Sequence, residues 1–214
     1  MTNDFNSEIS RAAKVIETFR AHTNFGIPSN IVREAKGIAV LHVVKAGMLF
    51  SARSGNGILV ARLPDGSWSA PSAIHSSGMG MGHQLGIEIS DFVFVLNTDA
   101  AVAAFSKGHN FSIGGNMSIS VGPLGRSGEV GATVKSCSAI FTYSHSKGLF
   151  AGASVELTCI NERPSVNASV YGAGVTVDQI LTGIVAKPAA AAELYSALGL
   201  SEISEKEAVS VPAV

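Results

Sequence analysis

The chain has 214 residues, 46% apolar and 14% charged, with 23 glycines and a net charge of −1. Together with a mean hydropathy of +0.32, this excludes a disordered chain and fits one domain with a large core and tight glycine turns. The charge is uneven: residues 1–62 hold eight Lys and Arg against four acids, and the remainder holds seven against twelve. A basic front on a nearly neutral protein suits an anionic surface such as lipid head groups or actin.

The first segment, Ser7 to Arg20, has helical periodicity. Ile9, Ala12, Ala13, Ile16 and Phe19 fall on one apolar stripe, and Arg11, Lys14 and Arg20 lie off it. Such a helix can dock on a sheet, or lie in a bilayer interface with its cations among phosphates. The opening residues MTNDFNSEIS lack a charged-then-apolar leader pattern. A second short helix is predicted from Pro28 to Lys36, with Pro28 in its first turn and Gly37 as its cap.

From Ile38 the period changes. Short runs rich in Val, Ile, Leu and Phe alternate with Gly, Pro, Asn and Asp, predicting strands over 38–45, 47–53, 57–63, 67–74, 85–96, 111–121, 129–145 and 148–160. The apolar run Gly57–Leu63, the turn Pro64-Asp65-Gly66 and a run with Trp68, the only tryptophan, read as a hairpin. Gly78 to Gly86 resembles a glycine-rich loop, but the next residues, Ile87 to Val93, read as strand rather than helix, which argues against a dinucleotide site. Met79 and Met81 on those glycines could form an exposed apolar tip. Asn97 to Phe105 reads as a helix capped by Asn97 or Thr98. Short helices are predicted over Thr176–Thr182 and Pro188–Leu198, the latter closed by Gly199, with residues 201–214 as a tail.

No catalytic constellation emerges. The six histidines have no ligand spacing, GxSxG is absent, and the cysteines Cys137 and Cys159 stand apart, as two buried thiols in a reducing compartment would. No metal, cofactor or nucleic-acid partner is expected. The fold expected is α+β: a curved antiparallel sheet, or a barrel-like core, with N-terminal and C-terminal helices packed around it.

A family likeness runs from about Phe5 to Leu200. Its blocks are Ala35-Lys36-Gly37, Lys45-Ala46-Gly47, Ser51-Ala52-Arg53, Gly57–Ile74, Gly114-Gly115-Asn116, Val121–Arg126 and Lys147–Gly152. On these the chain resembles the SYLF domain. The resemblance implies one non-enzymatic module, residues 1–200, of the endocytic and cortical actin machinery. It implies binding to phosphoinositide membranes through a basic amphipathic N-terminal segment and, in some members, binding and bundling of actin filaments. Arg11 and Lys14 fall on matching basic positions; Ser10 falls where a close relative has lysine. After Glu162-Arg163, relatives have extra basic residues where this chain has Pro164–Ser169. The resulting expectation is a cytoplasmic protein, peripheral at membranes or cortical actin. Arg11, Lys14, Arg33 and Lys36 would supply charge, and Ile9, Ile16 and Phe19 an apolar wedge. The alternatives are actin-filament binding and bundling, or a small-ligand or metal-binding barrel.

Overall fold

The computed structural model describes residues 2–21, 27–107, 110–133 and 140–199, and the side chains of these outside residue 2, 107–133 and 148–156. Four long strands form one antiparallel sheet in the order β1-β2-β4-β3. They are β1 (Gly37–Ala61), β2 (Ser72–Leu96), β3 (Asn110–Thr133) and β4 (Ile140–Glu162). The sheet is open, so the barrel-like alternative is corrected: β1 and β3 pair with no further strand among the described residues.

The separate short strands expected over 38–63 are one strand, and so are those over 72–96. Gly, Ser and Asn in these runs bend the strands without ending them. β1 doubles back at residues 47–50. The register with β2 slips between Met48 and Phe50, and Leu49 takes a left-handed φ of 63°. A Cβ on Gly55 would run into His42 O, and one on Gly57 into Val40 O, so the second half of β1 lies against its first. These glycines are required by contact, since any side chain there would meet backbone.

Burial divides the sheet in two. At the strand ends almost every residue is buried, as in 38–41, 57–61, 72–74 and 92–96, which is the pattern of a sheet covered on both faces. On one face Ile38, Val40, Ile58, Val60, Val93 and Val95 meet the helices α1 (Thr2–Ala21), α2 (Ser29–Glu34) and α6 (Ala191–Ala197). On the other, Leu41, Val43, Leu59, Ile74 and Phe92 meet α3 (Asp99–Lys107) and α5 (Val177–Leu181). We call this helix-covered half the base, and the half around the β1 bend the apex.

The hairpin block is a structural lock. Arg62 and Trp68 form a bridge pair, and the Arg62 guanidinium lies 3.7 Å from the centre of the buried Trp68 ring. The same guanidinium donates to Val32 O at 2.8 Å and Gly66 O at 2.9 Å. It thereby adds a second, shorter hydrogen bond to a carbonyl at the end of α2 that otherwise accepts only from Ala35 N at 3.4 Å. Burial lowers the Arg62 pKa. Asp65 Oδ1 accepts from Ser67 N at 2.9 Å in the turn, and hydrogen bonding from the Ser67 hydroxyl first, then from its backbone N–H, holds the Asp65 carboxyl below its usual range.

The helices at Thr98, Thr176 and Ala191 stand where the sequence puts them. Thr98 Oγ1 accepts from Ala101 N, and Thr176 with Gln179 forms a capping box on α5. Gly37 opens β1 and Ala35 ends α2, so the expected glycine cap is corrected. A helix α4 (Pro164–Tyr171) occupies the stretch read only as a thinned basic patch. Its Asn167 is fully buried. Asn167 Oδ1 accepts from Ala73 N, and its Nδ2 donates to Ser72 Oγ and Glu162 Oε1. One side chain thus pins α4 to β2 and β4. Cys159 is free and half-buried; Cys137 and the expected tail lie outside the described residues.

Candidate functional site

The apolar stripe of α1 points inward. Ile9, Ile16 and Phe19 have exposures of 0%, 1% and 7% within the base core. The expected exposed wedge is corrected for this fold: an amphipathic stripe finds the sheet, α4 and α6 before it meets solvent. The helix is fastened by polar contacts as well. Arg163 forms a two-pronged pair with Glu8 at 2.8 and 2.9 Å. Ser10 donates to Glu193 at 2.7 Å, and Arg20 donates to Ala197 O at the end of α6.

Arg11 and Lys14 face solvent on α1, and Arg33 and Lys36 face solvent at the end of α2. None of the four makes an ion pair or side-chain hydrogen bond to another described residue. They do not converge on one site. Arg11 lines a groove of about 330 Å³ between α1 and β1, together with Asp4, Glu8, His42, Val44, Asn56 and Asp91. Lys36 lines a separate groove of about 300 Å³ with Arg62, Asp99 and Asp178. In the first groove His42 Nδ1 and Asp91 Oδ1 are 2.6 Å apart on paired strands. Among the described residues no three His, Cys, Asp or Glu side chains gather to hold a metal. No described helix is long and apolar enough to cross a membrane.

The apex inverts the usual order of a sheet. On β1, Val44, Met48, Leu49 and Phe50 are exposed while Lys45, Ser51 and Arg53 are buried. On β2, Met79, Met81, Leu85, Ile87 and Ile89 are exposed while Ser76, Gln84, Glu88 and Ser90 are buried. Leu157 on β4 is exposed beside a buried Thr158. The register sets Phe50 opposite Met81, Met48 opposite Leu85 and Met79 opposite Leu157, so these residues share a surface. By parity it continues the face that α1 covers at the base. Two pairs of the buried polar groups bond to each other: Gln84 Nε2 donates to Ser51 Oγ at 2.9 Å and Ser90 Oγ to Glu88 Oε1 at 3.1 Å, while Ser76 Oγ, Gln84 Oε1 and Thr158 Oγ1 have no hydrogen-bond partner among the described residues. The Gly78–Gly86 segment is strand throughout, continuous with Ile87 to Val93, and the tip formed by Met79 and Met81 is exposed, at 72% and 63%.

Residues 77–200 match the family model described as Ysc84, Las17-binding protein actin regulator. The chain is 47% identical over 201 residues to the SH3 domain-containing YSC84-like protein 1 of Bos taurus, covering 92% of this chain and 59% of that protein. It is 47% identical over 199 residues to LAS seventeen-binding protein 3 of Saccharomyces cerevisiae, covering 90% and 43%. It is 49% identical over 199 residues to Protein YSC84 of the same yeast, covering 90% and 42%. The chain therefore spans about half the length of these relatives. No solved structure matches it. The chain belongs to the Ysc84 family, the SYLF-domain family that its separate sequence blocks resemble.

Proposed function

We propose that the domain is a peripheral module of the endocytic and cortical actin machinery that attaches to phosphoinositide-bearing membranes. Arg11, Lys14, Arg33 and Lys36 supply the attraction. The observation that supports this reading is a pair of solvent-facing cations, Arg11 and Lys14, unpartnered among the described residues, on a helix immobilised by its other face. Ile9, Ile16 and Phe19 then serve as the anchor that holds those cations in place. Asp4 and Glu17 on the exposed side of α1 moderate the field.

Each cation close to an anionic leaflet contributes about 1 kcal/mol. Losing both Arg11 and Lys14 should therefore weaken attachment by roughly 30-fold. The test is flotation with phosphatidylcholine vesicles, with and without phosphoinositide, using wild type and the Arg11→Glu/Lys14→Glu pair. Binding should need the phosphoinositide, fall in the double variant and fall with added salt. Equal, negligible binding to both vesicle types rejects the reading.

A second reading, actin-filament binding and bundling, is favoured by the family description as an actin regulator. Co-sedimentation with filaments at high and low speed separates binding from bundling. Absence of pelleting with filaments at low salt rejects it. The relatives' names add Las17 as a partner of those proteins, and an actin-machinery protein partner is the corresponding proposal here.

A further inference from the structure

We infer that the bare apolar surface of the apex enters the hydrocarbon of one membrane leaflet. This rests on the membrane reading above and deepens it, because the inserting element becomes the bent sheet instead of the N-terminal helix. Ten of the twelve large apolar side chains exposed among the described residues lie on this one half of the sheet. Monomeric soluble proteins rarely leave such a surface bare without a partner.

The occupant is argued from length, order and charge. From Val44 to the bend at Met48 is four residue steps, about 13 Å of strand. One leaflet of a ~30 Å hydrocarbon core is about 15 Å deep. Apolar positions face out and polar ones are buried, the alternation that strands adopt in lipid and the reverse of a sheet in water. The three consecutive residues Met48, Leu49 and Phe50 sit at the turn itself and are 55–69% exposed. The outward positions of 44–54 and 77–89 include one ionisable side chain, His83, and no carboxylate. At the rim of the patch Lys147 is exposed, in register with Ile89, and Arg11 lines the groove that reaches Val44. The same groove also holds Asp4, Glu8 and Asp91. An apolar tip with no acid among its described outward side chains, rimmed by cations, complements an anionic leaflet. A backbone in lipid needs partners, and at the apex β1 is paired with β2 and lies against its own second half.

The experiment places a reporter at the tip. Trp68 is fully buried in the base, so an added indole in Phe50→Trp can be read over a constant background. With vesicles of phosphatidylcholine and phosphoinositide, its emission should shift to the blue and be quenched by lipids brominated on the acyl chains. A second variant, Met79→Ser/Met81→Ser, should keep the wild-type melting temperature and float with these vesicles at least about tenfold more weakly. If flotation is intact and Phe50→Trp shows neither shift nor quenching, or the serine pair floats like wild type, the insertion is wrong while the phosphoinositide reading stands. A blue shift without lipid that grows with protein concentration, with a doubled mass in sedimentation, also overturns it and assigns the surface to a second copy. Absence of flotation with any vesicle removes both readings.

Discussion

Base and apex are two halves of one sheet, built from the same four strands, yet they solve opposite problems. At the base both faces are apolar and helices cover both. At the apex one face stays apolar without a cover, and the other is polar and buried. The difference teaches where stability and function separate. The base carries the packing that holds the fold, and its best-defined devices, the Arg62–Trp68 stack and the Asn167 pin, are structural. The apex contributes little burial on its outer face, which leaves that face open to serve recognition.

The sharpest way to break this division is at the bend that creates it. Gly57→Val would drive a side chain into the Val40 carbonyl and Leu41 Cα. The expected outcome is loss of the cooperative melt by circular dichroism, and a wild-type melt would refute the doubling of β1. Next in size is a matched pair of truncations. Ile16→Ala at the base should cost about 2–5 kcal/mol, whereas Met81→Ala at the apex should stay within about 0.5 kcal/mol. Urea titration of both decides whether the halves differ as described, and equal losses would erase the distinction. Asn167→Ala leaves the buried Ala73 N–H without its acceptor and should cost about 1–3 kcal/mol in the same titration.

The smallest expected effect concerns pH at the boundary between the halves. His75 Nδ1 is 2.8 Å from Asn56 Oδ1. Burial, with Arg163 adding to it, lowers the His75 pKa below 6.5. The folded state therefore binds this proton less readily than the unfolded chain. Stability is full above the unfolded value and falls as pH drops through 6.5 toward the depressed folded value. Melting temperatures across pH 7.5 to 5 should decline, and His75→Gln should flatten part of that decline. An unchanged slope in the variant would assign the effect to other groups.

Much of the base was legible from periodicity. The α1 stripe, the caps at Thr98 and Thr176 and the Gly57–Ile74 hairpin follow from spacing and turn chemistry. α4 escaped notice because its eight residues show little amphipathic contrast; Pro164 at its first turn was the available signal. The four cations were legible as charge, but not that Arg11 and Lys36 line separate grooves. Strand lengths were underestimated because glycines that bend β1 look in sequence like the glycines that end strands.

The sequence by itself determined the α+β composition, the alternation along the strands and the family, since each depends on local pattern or on aligned residue blocks. Only the tertiary structure decided which apolar surfaces are hidden. A helix stripe suited to a sheet is equally suited to lipid, and an alternating strand does not say which of its faces points out. Those choices depend on what else in the chain arrives to cover each face, and here the helices cover α1's stripe and leave the apex bare.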